Sequence, residues 1–231
     1  MRSTVLAAAL TGLCGVWGSF ADAVADEEQR TEEHPADVRT LANEAAETQA
    51  PRTAEAMNAD AEALTEALWS AAADGDIERF NRLLAMGAEI DATQAETVTT
   101  ALWIASQEGH TEMVRLLLGL GADVDARDGA DGRTPLFQAA QEGHAEIVRL
   151  LLEHGADIEA RSARTGATPL FIAAARGHAD VVRLLLAAGA NIDVTASAGG
   201  RVDTPIDIAR QRGHVEVVRL LEAVARGSAS R

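Results

Sequence analysis

Lysine and tyrosine are missing from this 231-residue chain, and cysteine occurs once. All 20 basic residues are therefore arginine, a usage that points to a G+C-rich, bacterial coding sequence. Without Lys there is no glycine-rich phosphate loop ending in Lys, and no Gly-x-Ser-x-Gly elbow occurs either. The one cysteine, Cys14, lies in an N-terminal apolar run, so the remainder of the chain can make neither a disulfide nor a thiolate metal site. Leu13 precedes it, where lipid attachment would call for a small residue. Positive charge is also scarce. A formal net charge of −16 repels phosphate backbones and anionic lipid heads, which argues against nucleic acid and acidic membrane surfaces as partners.

The N-terminus has the layout of an export signal. Arg2 supplies a positive start, and Val5 to Phe20 is a charge-free run of 16 residues. That run is short for a span, which needs about 20 residues. Small residues then alternate through Ala21, Ala23 and Ala25 before acid begins at Asp26, the pattern that a signal peptidase admits. Cleavage is expected after Ala25, with Ala21 and Ala23 as alternatives. The periplasm is the expected destination; retention through residues 5-20 as an inner-membrane anchor is the alternative.

Residues 26-63 hold eleven acids against three arginines, a net −8, and their apolar residues are mostly Ala. Such a stretch buries too little apolar surface to offset chain entropy and reads as a solvated, disordered linker, with transient helix near 41-63.

Beyond residue 63 the chain repeats itself. Gly109-His110, Gly143-His144, Gly177-His178 and Gly213-His214 recur at spacings of 34, 34 and 36, and Gly75-Asp76 stands 34 residues earlier. Leu68, Leu102, Leu136, Leu170 and Ile206 each lie seven positions before the glycine. Gly87, Gly121, Gly155 and Gly189 lie twelve after the first four, always followed by Ala. A fixed period of this length marks a stacked array. Each unit reads as two short helices. A Thr-Pro start supplies a capping hydroxyl and a residue that needs no N–H partner, and the Gly-His turn ends the first helix. Neither helix can bury its apolar face alone, so stability must come from neighbouring units.

The run Thr134-Pro135-Leu136-Phe137-Gln138-Ala139-Ala140, followed by Gly143-His144, Val148 to Leu152 and Gly155-Ala156-Asp157, resembles the ankyrin repeat. The resemblance covers 64-226 and implies an all-α fold: a curved solenoid of stacked helix pairs with short β-hairpin fingers along one edge. It also implies a protein-binding module rather than an enzyme, acting as a monomer and needing no cofactor. Two alternatives stand beside it for this chain. One is an immunity or inhibitor protein against a toxin in the periplasm, which some bacterial ankyrin proteins resemble. The other is an accessory factor for an exported enzyme, such as one in peroxide defence, to which some exported bacterial ankyrin proteins are similar. Two departures stand out. The residue after Thr-Pro-Leu, usually His, is aromatic at Trp69, Trp103, Phe137 and Phe171 and is Asp207 in the last unit. The connectors are also one to three residues longer than usual, the longest lying between Gly189 and Pro205. The expected division is a signal segment (1-25), the linker (26-63), five repeats (64-97, 98-131, 132-165, 166-201, 202-226) and a tail (227-231). Arg79 and Arg82 in the first unit and Glu222 in the last stand where inner units carry apolar residues, so both ends are expected to be caps of a complete array.

No catalytic constellation emerges. His110, His144, His178 and His214 would stack one repeat apart, about 10 Å, too far to share an ion whose ligands stand about 2 Å away. They are expected to be structural turn residues, so no metal site is assigned. Asp123, Asp125, Asp128 and Gly129 miss the calcium-loop order by one residue, and Thr134 stands where that loop needs Glu. Glu112/Arg115, Glu146/Arg149, Asp180/Arg183 and Glu216/Arg219, three apart on one helix face, read as surface ion pairs. The aromatic series is expected to pack between units, with a ligand platform as the alternative. One pattern is left as a candidate site. The residue before each turn glycine, which the ankyrin resemblance places in the groove, runs Asp74, Glu108, Glu142, Arg176, Arg212. A groove acidic at one end and basic at the other would orient a protein partner.

Overall fold

A computed structural model describes residues 54–93, 98–198 and 200–228. The signal segment 1-25 with its cleavage sites, and residues 26-53 of the expected linker, lie outside the described residues.

Among the described residues the chain forms five helix pairs. They are α1 (Ala54–Asp74) with α2 (Ile77–Ala85), α3 (Ala101–Glu108) with α4 (Thr111–Gly119), and α5 (Pro135–Glu142) with α6 (Ala145–Glu153). Two more follow: α7 (Pro169–Arg176) with α8 (Ala179–Ala187), and α9 (Pro205–Arg212) with α10 (Val215–Ser228). The first helices α1, α3, α5, α7 and α9 pack side by side in chain order. The second helices α4, α6, α8 and α10 do the same in a parallel layer. Between the layers runs one continuous apolar cluster, from Leu68 to Leu221. This is the stack that the repeat period calls for.

Local chemistry explains the helix limits. Thr100, Thr134, Thr168 and Thr204 cap α3, α5, α7 and α9, their hydroxyls accepting from the amides of Trp103, Phe137, Phe171 and Asp207, each at 3.3 Å. Asp207 explains its own departure from the repeat pattern. Its carboxylate accepts from the Thr204 amide at 3.2 Å and hydroxyl at 2.6 Å, completing a capping box. The Thr204 hydroxyl and amide thereby hold the Asp207 carboxyl below the usual carboxylate range.

The longest connector also has a structural result. It carries the one regular strand pair among the described residues, β1 (Ala196–Ala198) antiparallel to β2 (Arg201–Asp203), with Ser197 opposite Val202. The fingers before α5 and α7 are tighter hairpins, closed by backbone bonds from Asp128 to Arg133 and from Ser162 to Ala167, each 3.0 Å.

Two boundaries differ from expectation. The linker expected to reach residue 63 is already helical from Ala54, so the 63/64 boundary falls inside α1. Ala and Glu dominate those ten residues, and extending a packed helix adds one hydrogen bond per residue without a new nucleus. At the other end α10 continues to Ser228, past the boundary placed at 226.

Candidate partner-binding face

The five candidate residues share one structural position. Asp74, Glu108, Glu142, Arg176 and Arg212 are each the last residue of a first helix, and each is exposed. Because first helices stack in order, the residues form a row, one per helix pair, acidic over three pairs and basic over two. The row is not uniformly free. Arg79 Nη1 stands 3.6 Å from Asp74 Oδ2, and Arg212 Nη1 donates to the Ala175 carbonyl at 3.1 Å. Among the described residues, Glu108 and Glu142 accept only from their neighbours Gln107 and Gln141, at 2.9 and 2.7 Å.

The glycine after each residue ends the helix in the left-handed region, with φ of +84° at Gly109 and +86° at Gly143. It also receives the next unit. A Cβ on Gly143 would lie 2.6 Å from Nδ1 of His178. Nε2 of the same ring donates to the Gln141 carbonyl at 2.9 Å. His110, His144 and His214 repeat this bond to Ala73, Gln107 and Ala175. Each histidine is thus a connector seated on the preceding turn, as expected of structural turn residues.

The acids that resemble a calcium loop are connectors too. Asp91 Oδ1 accepts from the Asp123 amide, and Asp125 Oδ1 from the Asp157 amide, each at 3.0 Å. Glu159 does the same for Asn191 at 2.7 Å. At the finger tips, Asp131 is 4% exposed and accepts from the Arg164 amide at 2.8 Å and Arg133 Nε at 2.9 Å. Burial alone would raise the Asp131 carboxyl; the Arg164 amide, the Ser162 hydroxyl and the Arg133 guanidinium together hold it below the usual range.

On the second helices the expected pairs form at Glu112/Arg115, Glu146/Arg149 and Asp180/Arg183. The fourth does not: Glu216 reaches back to Arg183 on the preceding pair. Arg115 likewise reaches Glu146 at 3.7 Å, so this face also ties neighbours together.

The aromatic series divides in two. Phe137 and Phe171 are each 3% exposed and pack with Ala167, Ala175, Ala196 and Ile208. Trp69 and Trp103 are only partly buried. Together with Thr99, Ile104, Gln107, Asp128 and Ala130 they line a cavity of about 280 Å³ between α1, α3 and the finger before α5.

The family model for ankyrin repeats (3 copies) matches residues 68–162 and 160–226. The chain belongs to the ankyrin-repeat family. Among curated proteins, none matches the chain. Ankyrin repeats are generally protein-interaction modules, and no helix among the described residues is long and apolar enough to cross a membrane.

Within this ankyrin array, packing between units accounts for the phenylalanines and only partly for the tryptophans. Reasoning from sequence passed over Thr99 and Gln107, and weighed Asp128 only against a calcium loop; all three line the cavity. The signal was present in the change from Trp to Phe along the series. An indole N–H needs an acceptor that a phenyl ring does not. Trp69 Nε1 has one, donating to Thr99 Oγ1 at 3.0 Å, whereas Trp103 Nε1 is buried without a partner among the described residues.

Proposed function

We propose that this chain is an exported adaptor that binds a protein partner along its first helices and fingers and catalyses no reaction. The observation that carries this reading is the row of five exposed charges, one per helix pair, whose sign changes between Glu142 and Arg176. The groups that could do chemistry are engaged in holding the stack. Histidine Nε2 atoms bond carbonyls, and finger carboxylates bond the amides of the next unit. The signal-like residues 1-25 support action in a bacterial periplasm, with the array working as a single chain.

The test has two steps. The mature chain is used as bait in periplasmic extract, and the association rate of the captured partner is then measured at low and high salt. Reversing Arg176 and Arg212 to Glu slows association several-fold at low salt. The difference shrinks as salt rises, because exposed charges are screened over about 8 Å at physiological ionic strength. Arg149→Glu, on the second-helix face, leaves the rate unchanged. An unchanged rate in the double reversal, or an equal loss in the control, contradicts the groove reading.

A further inference from the structure

We propose that the cleft between Trp69 and Trp103 is a receptor for one arginine side chain on the partner's bound segment. The proposal rests on the reading that the first-helix face binds a protein and supplies the chemistry of one contact on it.

The next unit already shows this contact made internally. Arg133 lies one residue before the cap of α5, and its guanidinium carbon stands 5.4 Å from the centre of the Phe137 ring. That is within the about 6 Å range of a cation–π contact. In the preceding unit the position of Phe137 is taken by Trp103, the better ring for a cation, and the position of Arg133 by Thr99. Thr99 is too short to cover the indole, and its hydroxyl accepts from Trp69. The unit therefore keeps the aromatic platform and lacks the cation that occupies it one repeat later. The space beside it is the cavity.

The walls suit a guanidinium. Two indoles line the cavity, and Asp128 supplies a carboxylate held in place by the amides of Asp131 and Arg133, at 3.1 and 2.8 Å to Oδ1. Asp128 Oδ2 takes no donor among the described residues. Gln107 supplies an amide that already links Gln138 to Glu108. Among the residues that line the cavity, Asp128 is the one that carries a charge, and it is negative. A flat, delocalised cation that stacks on aromatics and pairs with a carboxylate matches these walls better than a hydrated ammonium does. At about 280 Å³ the cavity is just below the size of pockets for whole small molecules, and fits one long side chain. A nucleotide base could stack on the indoles, but its phosphate would meet Asp128 and a chain of net charge −16.

The test uses the mature chain, whose tryptophans are Trp69 and Trp103, and capped tripeptides Gly-X-Gly, with X arginine, citrulline or norleucine. Binding is read from the two indole N–H resonances, with the backbone amides of the second helices as internal reference. The arginine peptide shifts the Trp69 and Trp103 signals and leaves the reference amides in place. The citrulline peptide, of the same shape without charge, binds about tenfold more weakly, as loss of an ordinary cation–π contact requires. Thr99→Arg, which places a cation where Arg133 sits in the next unit, abolishes the arginine-peptide shifts with helical circular dichroism retained. Equal binding of arginine and citrulline overturns the proposal, and so does tighter binding of norleucine, which would make the cleft an apolar pocket. The peptide comparison needs no variant, so a misfolded Thr99→Arg chain leaves it decisive. Neither Arg176 nor Arg212 takes part, so failure here and failure of the charged row give different results.

Discussion

Trp103 and Phe171 hold the same register two helix pairs apart, behind identical threonine caps, yet one ring borders a cavity and the other is sealed. The difference comes from what the following unit offers. Ile208 and the hairpin residue Ala196 close over Phe171. At the place of Ile208, the unit after Trp103 has Gln138, whose Oε1, like Trp103 Nε1, is buried without a partner among the described residues. The backbone is indifferent to this change because other bonds carry it: threonine caps, His-to-carbonyl bonds and acid-to-amide bonds recur in both regions. A repeat scaffold held by its connectors can leave one inter-unit space unfilled, and the unfilled space is where a ligand can be accommodated.

The largest effect expected from this contrast lies in the core. Phe171→Ala removes a sealed ring and should cost about 3–5 kcal/mol in urea unfolding. Trp103→Ala removes a larger ring that already faces open space and should cost less than Phe171→Ala. Equal losses would mean that the cavity closes in solution and the contrast between the regions is not real.

The connectors come next. Gly143→Ala must place a methyl 2.6 Å from His178 at φ +86°, and should cost about 2–4 kcal/mol. Gly213 has φ +77° but nothing within 4 Å, so Gly213→Ala should show only the backbone penalty, about 1 kcal/mol. A matching cost at both sites would remove the histidine seat from the account.

These two contrasts also mark what the sequence could reveal. The helix pairs, caps and left-handed turns were legible because each depends on a residue type at a fixed spacing: Thr before Pro, Gly before His. The charged row was legible as a position, the last residue of each first helix. What each charge does there depends on side-chain reach, which spacing does not encode. Arg79 approaches Asp74, Arg212 turns to a backbone carbonyl, and Glu216 chooses Arg183 over Arg219. The cavity was hidden for a similar reason, since it exists only where α1, α3 and a finger meet. Helix was expected near 41-63 only as a transient form; that it is continuous with the packed first helix from Ala54 was missed, because acidic composition was weighed above the packed helix downstream.

A smaller effect separates the fingers from the helices by pH. The Asp131 carboxyl is held below its ordinary value in the folded chain, so its contribution is complete above about pH 4 and is lost as pH falls through the folded value. Asp131→Asn should cost about 2 kcal/mol at neutral pH, and the gap to the unsubstituted chain should narrow in acid. A gap that stays constant from neutral pH to acid would show that the finger carboxylate is not a stabilising charge.

The claim that joins these observations is that the partner is held on the first-helix and finger face and not on the second-helix face. Hydrogen exchange on the captured complex tests it most directly, because backbone amides report on both faces at once. The account predicts added protection at the ends of the first helices and in the fingers, including residues 104–110 and 126–133, with the second helices α4, α6 and α8 unchanged. Protection concentrated on α4, α6 and α8, with the Trp69–Trp103 cleft as fast as in the free chain, would contradict it.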